Sequence, residues 1–321
     1  MVGLLRKPTD AQRLEGGVYG LLIGDALGVP YEFHPPSRLP PLEQLEFEPP
    51  EGFSRAHAGV PPGTWSDDGA QANCLLASLL YREQLDLEDL GRRLVNWYEL
   101  GYMAVDNHVF DVGIQTRSAL SEFRAGTPGH LSGPRGERDN GNGSLMRVLP
   151  LALWHGGTDE ALVADAMRQS LVTHGHLRSQ VCCALYCLWA RRTWEGVTHP
   201  WEEAVASFHR LFPEGTAPRE ELDIHVRPLA PEAGKGSGYV VDCLLSARDC
   251  LRAGATYEQV VKAAVALGHD TDTTAAVAGG IAGIREGVEA IPGRWLAALR
   301  GRELVDPMVT ALRELRARKP S

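Results

Sequence analysis

The chain has 321 residues, 44% of them apolar and 23% charged, with a mean hydropathy of −0.18. That composition builds a substantial core and excludes disorder. The net charge of −9 argues against holding nucleic acid or anionic membrane through basic surface.

The N-terminal residues lack the apolar core of a signal peptide. The longest apolar run, Val181 to Ala190, is too short to span a bilayer. Six cysteines, at 74, 182, 183, 187, 243 and 250, form no CxxC pair and sit in apolar, helix-like stretches. Buried thiols in a reducing, cytoplasmic setting are expected.

The first patterned stretch, Gly20-Leu-Leu-Ile-Gly24-Asp-Ala-Leu-Gly28, carries glycines at a spacing of four. It reads as an amphipathic helix that crosses a neighbour closely. Glu32 follows in an apolar setting of Val29, Tyr31 and Phe33. It is either a solvated loop acid or a carboxylate held at a site.

The loop from His34 to Thr64 holds eight of the 21 prolines and ends at Ser66-Asp67-Asp68 before an apolar helix. Ser or Asp there is a normal N-cap, yet two adjacent carboxylates exceed what a cap needs. A helix with Leu87, Leu90, Leu94 and Trp97 on one face is expected over 85–100. Phe110-Asp111-Val112-Gly113 then offers Asp111 as a cap for the helix beginning near Gly113.

A Gly-rich loop over 125–143 leads into Asn140-Gly141-Asn142-Gly143-Ser144-Leu145-Met146-Arg147. It reads as a turn running into a helix, either an ordinary capped turn or an anion cradle. Helical stripes are expected over 160–172, 176–194, 201–211, 238–251, 257–267 and 304–315. His174, just before the second of these, is a helix-end or core histidine.

A third loop, 213–238, ends in Gly236-Ser237-Gly238 before Tyr239, which is a core aromatic or an aromatic platform beside a flexible turn. Finally, His269-Asp270-Thr271-Asp272-Thr273-Thr274 opens a run of Ala and Gly. Asp270 and Asp272 cannot share a helix face, because two residues turn a helix by about 200°. They converge only where the chain is still entering the helix.

Strand patterns are scarce and composition never shifts enough to mark a boundary. A single all-α domain spanning 1–321 is expected. Four aspartates with Ser and Thr hydroxyls form an all-oxygen donor set, suited to Mg²⁺ or Mn²⁺ and not to zinc or copper.

Seven segments in order resemble the ADP-ribosylglycohydrolase family: GLLIGDALGVPYEF, TWSDDGAQANCLLASLL, VFDVG, NGNGSLMRVLPLAL, VTHGH, GSGYVVDCLLSA and GHDTDTTAAVAGGIAG. The resemblance implies a single compact orthogonal helical bundle around two Mg²⁺ or Mn²⁺ ions. It implies hydrolysis of the glycosidic bond between ADP-ribose and an acceptor. Ser66, Asp67 and Asp68 look like one group of metal ligands; Asp270, Asp272 and Thr273 look like the other. Glu32 and Asp111 match the family's catalytic acids.

On the same resemblance, Asn142, Gly143 and Ser144 match its pyrophosphate-binding turn, and Tyr239 a residue that stacks on adenine. The family usually has Thr at the positions of Ser66 and, often, Gly69; Ser keeps a ligating hydroxyl. The FDVG segment resembles the dinitrogenase-reductase-activating branch, which implies ADP-ribosylarginine as substrate. ADP-ribosylserine, O-acetyl-ADP-ribose or other conjugates are the alternatives, as are a phosphoester hydrolase and a silent crystallin-like protein. A silent copy would lose ligands, and all six positions here carry oxygen.

Overall fold

In the computed structural model, residues 7–318 are described. The first five helices are α1 (Asp10–Gly28), α2 (Asp67–Arg82), α3 (Leu87–Leu100), α4 (Ile114–Arg124) and the single turn α5 (Gly129–Ser132). Next come α6 (Leu149–Trp154), α7 (Asp159–Ser170), α8 (Leu177–Trp194), α9 (Pro200–Leu211) and α10 (Ala217–Glu220). The last five are α11 (Val240–Ala253), α12 (Tyr257–Val265), α13 (Thr271–Glu286), α14 (Gly293–Ala298) and α15 (Arg302–Arg318). Among the described residues there is no sheet, only one isolated bridge between Gly141 and Tyr239. The fold is all-α.

The helical stripes fall where periodicity put them, and local chemistry sets their ends. α1 opens with a capping box: Gln12 N–H donates to Thr9 Oγ1 at 3.2 Å, and Thr9 N–H to Gln12 Oε1 at 2.8 Å. The loop 213–238 is more ordered than expected, because α10 continues into a π-helical turn, Glu221–Val226. All six cysteines are buried free thiols. No described helix is long and apolar enough to cross a membrane.

Two helices from opposite ends of the chain form the axis. α13 is surrounded by α1, α8, α11 and α12, and it runs antiparallel to α1. Gly16, Gly20, Gly24 and Gly28 of α1 lie against Gly283, Gly279, Ala275 and Asp272 of α13, backbone to backbone. The close crossing expected from the glycines is present, but the amphipathic reading is not. Every residue of α1 from Gly16 to Gly28 is buried, because helices cover it on all sides.

This crossing aims the C-terminal end of α1 at the N-terminal end of α13. A Cβ added at Gly24 would stand 2.1 Å from Ala275 O, a backbone atom that cannot rotate away. Gly24→Ala is therefore expected to cost about 1–3 kcal/mol or more through overpacking, despite alanine's better helix propensity. Gly59→Ala, whose Cβ meets nothing within 4 Å, should fall within about 0.5 kcal/mol of the parent. Urea denaturation of the two variants checks the contrast.

Candidate active site

Six chain segments meet where α1 and α13 converge. Asp25, in the last turns of α1, is fully buried. Its carboxylate accepts from Ser66 N–H at 2.8 and 3.0 Å and from Gly69 N–H at 2.8 Å. An α1 side chain thereby pins the start of α2. Ser66 is indeed the N-cap, its hydroxyl accepting from Asp68 N–H at 3.3 Å. Asp67 and Asp68 follow in the first helical turn, both buried.

The second cluster faces the first. Asp270 is the N-cap residue of α13 and Asp272 lies in its first turn, so the chain is entering the helix as expected. Thr273 Oγ1 donates to Asp68 Oδ1 at 3.3 Å, joining the two clusters directly. Oxygens of Glu32, Asp270 and Asp272 lie within 4.8 Å of one another, as do ligand atoms of Glu32, His57 and Asp111. Glu32 is buried, which excludes the solvated loop acid.

Asp111 does not cap α4. Gly113 holds the N-cap position without a side-chain bond, and Asp111 sits in left-handed backbone at φ 53°. Its carboxyl enters the acidic cluster instead, facing Asp272.

The turn 140–144 reaches the same place, though not as the end of a helix. Leu145 and Met146 N–H groups return to Asn142 O, Val148 N–H returns to Leu145 O, and α6 begins only at Leu149, with Pro150 next. The helix-dipole part of the expected cradle is absent. The backbone part remains: Gly141, Gly143 and Ser144 N–H groups have no hydrogen-bond partner among the described residues. Asn142 Nδ2 donates to Asp270 Oδ2 at 2.8 Å. The Ser144 hydroxyl points inward to Ser170 and Cys183.

His174 supports this turn from below. A Cβ on Gly143 would stand 2.8 Å from His174 Cε1, so glycine is required there. Burial, with the charge of Arg147, pushes the imidazole down to about 3, and the ring is neutral core. Tyr239 pairs with Gly141 through the isolated bridge, and the residue is 40% exposed beside the turn. Arg178 donates to its hydroxyl at 3.2 Å.

The electrostatics of the cluster are those of crowded, dry carboxylates. Burial first, then the charges of Asp111 and Asp270, pushes Glu32 up to about 11. Burial, opposed by the Ser66 and Gly69 N–H bonds, brings Asp25 to about 7. Burial and Asp270 bring Asp111 to about 6. Asp67, Asp68 and Asp272 are all raised well above the ordinary carboxylate range, by burial and by one another's neighbours.

Over residues 6–321 the chain matches the family described as ADP-ribosylglycohydrolase. The chain belongs to the ADP-ribosylglycohydrolase family. It is 30% identical to the ADP-ribosylarginine hydrolase Tri1 of Pseudomonas putida (strain GB-1), over 88% of this chain and 73% of that protein. It is 28% identical to the ADP-ribosyl-[dinitrogen reductase] glycohydrolase of Rhodospirillum rubrum, over 91% and 92%. A solved structure titled "ADP-ribosylglycohydrolase-related protein complex" superposes with a TM-score of 0.77 at 31% identity, covering 95% of this chain and 98% of that one. The protein is thus a glycohydrolase, an enzyme.

The residues of this glycohydrolase fit the divalent cations its family implies. Asp68 Oδ2 and Asp272 Oδ2 are buried without a hydrogen-bond partner, an arrangement that costs several kcal/mol unless a cation or proton answers it. The surrounding donors are carboxylate and hydroxyl oxygens, the chemistry of hard ions. Three contributors escaped the sequence reading. Asp25 was hidden among the glycines of α1, although a lone acid in an apolar run is itself a signal. His57, whose Nε2 lies 2.7 Å from Glu32 Oε2, comes from the proline-rich loop and had no signal. Gln71 donates to Asp67 Oδ2 at 2.9 Å while accepting from the buried Arg147 at 3.0 Å; it reads from sequence as an ordinary helix residue.

Proposed function

We propose that this enzyme hydrolyses the N-glycosidic bond between ADP-ribose and an arginine side chain, with divalent cations held by Asp67, Asp68, Asp270 and Asp272 and the hydroxyls of Ser66 and Thr273. The observation that carries the acceptor assignment is Asp111. Released from any capping role, it stands beside Glu32 in strained backbone at φ 53°, where a leaving guanidinium would find a carboxylate.

The cations, when bound, would supply an acidified water and positive charge for the ribose hydroxyls. The protein's groups do the rest. The Gly141, Gly143 and Ser144 N–H groups, without partners among the described residues, would suit the pyrophosphate. Asn142, anchored on Asp270, ties that turn to the acidic cluster. Tyr239 offers an exposed ring beside the turn for the adenine. With the pyrophosphate and adenine held so, the anomeric carbon would lie near Glu32 and Asp111. Cleavage there passes through an oxocarbenium-like state that adjacent carboxylates stabilise.

Asp111 is a carboxyl beside Glu32, held among buried acids that raise it above the ordinary carboxylate range, which suits a group that exchanges a proton. It would orient the guanidinium and carry a proton as the C–N bond breaks. A neutral serine acceptor offers this carboxylate no cation. Two relatives named for arginine or dinitrogen reductase conjugates support the same reading.

Turnover of ADP-ribosylarginine and ADP-ribosylserine, with Mg²⁺ or Mn²⁺ and with chelator, tests it. Arginine conjugates should be preferred. Asp111→Asn should lower kcat by roughly a hundredfold to ten-thousandfold, the usual worth of a proton-transfer group, and leave inhibition by free ADP-ribose unchanged. Equal turnover of both conjugates, or a normal kcat in the variant, overturns the assignment.

A further inference from the structure

The mouth of the site is built from backbone that L-residues avoid. Phe33, His57, Asp111 and His269 have φ of 63°, 49°, 53° and 63°. For a bulky aromatic this region carries a steric penalty. At Phe33 it is enforced by two reciprocal bonds: Phe33 N–H donates to His269 O at 2.7 Å, and His269 N–H to His34 O at 2.7 Å.

The strained turn throws the ring outward. Phe33 is 68% exposed although its neighbour Glu32 is buried. Core packing does not account for an aromatic held this way, since exposure forfeits the transfer free energy that burial would supply. Strain that presents a side chain to solvent at a site is an observation from which function is argued.

Nor does the ring stand alone. Its centroid lies 5.6 Å from that of His57, which lies 5.0 Å from Phe110, which lies 5.7 Å from His108. The result is a continuous aromatic strip along one lip of the site. The floor next to it is acidic, for His57 contacts Glu32, and ligand atoms of both lie within 4.8 Å of Asp111.

We infer that this strip is the seat of the acceptor side chain, with Phe33 as a specificity-determining residue that receives a planar cation of the guanidinium class. The inference rests on the arginine reading above. Aromatic faces beside carboxylates favour a flat, weakly hydrated cation, which gains from ring and charge together. The methylene stem of an arginine would lie along the apolar ring. A neutral acceptor takes neither contact. The ring neighbour of Phe33 is His57, beside Glu32, so its effect should be confined to the acceptor half of the substrate.

The test is steady-state kinetics of the full-length, Mg²⁺-loaded enzyme on ADP-ribosylarginine, alongside product inhibition by free ADP-ribose. Phe33→Ala should raise KM for the conjugate roughly fivefold, the worth of an exposed cation–π contact, with the ADP-ribose inhibition constant unmoved. Phe33→Tyr should keep the parental KM and Phe33→Leu should behave like the alanine variant. An unchanged KM in Phe33→Ala, a parallel rise in the ADP-ribose constant, or recovery by leucine overturns the cation seat. If the parent enzyme turns over ADP-ribosylserine but not ADP-ribosylarginine, the arginine reading itself has failed and the seat with it.

Discussion

Asp272→Ala is expected to cost turnover by roughly a hundredfold to a thousandfold, the scale on which one preorganised electrostatic contact is worth losing. It is also expected to abolish the rise in Tm that Mg²⁺ or Mn²⁺ gives the parent enzyme. Asp272 is completely buried, with Oδ1 accepting from Thr273 N–H at 2.9 Å and Oδ2 left without a partner. That oxygen has no hydrogen bond to lose, and replacing the whole carboxyl by a methyl group relieves a crowded, desolvated acid while giving up the Oδ1 acceptor for Thr273 N–H, so the two effects offset. In the metal-stripped protein the variant should therefore be as stable as the parent. With cation present it should be less stable, because binding to the native state alone is what stabilises. Metal content by mass spectrometry and Tm with and without chelator read both effects. Full turnover in excess chelator would falsify the metal assignment.

The second large effect is on how stability varies with pH. Asp25 is brought to about 7 and Glu32 to about 11, and Asp67, Asp68 and Asp272 are raised as well. All lie above the unfolded carboxylate range of about 4. Near neutral pH the native state then binds more protons than the unfolded chain, so stability falls as pH rises through the native values. Buried His174, held down at about 3, works in the opposite sense, but only below its unfolded value of roughly 6.5. Between pH 6.5 and 8 the carboxylates govern. Metal-free protein should lose roughly 5 °C of Tm over that interval, and the Mg²⁺-induced rise should be larger at pH 8. A metal-free Tm that is flat or increasing across the interval would show that these acids are neither dry nor crowded.

Much of this site was legible because its chemistry is local in sequence. Asp67-Asp68 and Asp270-Thr271-Asp272 announce themselves as more acid than a helix start requires, and the structure places both at helix starts facing each other. The glycine spacing in α1 was equally legible as close packing. It concealed what that packing serves, since Asp25 lies within the same run and was overlooked as scaffolding. The turn 140–144 was misplaced at a helix end because nothing in Leu145-Met146-Arg147 signals successive turns, while Pro150 fits the second position of a helix starting at Leu149. His57 and Phe33 were illegible for a different reason. Their placement depends on left-handed backbone held by bonds to residues more than 200 positions away in one case, and no local pattern encodes that.

The pairing of α1 with α13 also sets a timetable. Thr271 Oγ1 donates to Gly28 O across a separation of 243 residues, so the first described helix is docked against one of the last. At a synthesis rate of about 5–20 residues per second, α1 waits roughly ten to fifty seconds on the ribosome for its partner. Throughout that interval a helix destined to be buried on every side has α2 and α6 to pack on but lacks α13, its main partner. A nascent chain of this design carries the glycine face of α1 uncovered for that time, and a truncation that removes α13 leaves that face uncovered permanently.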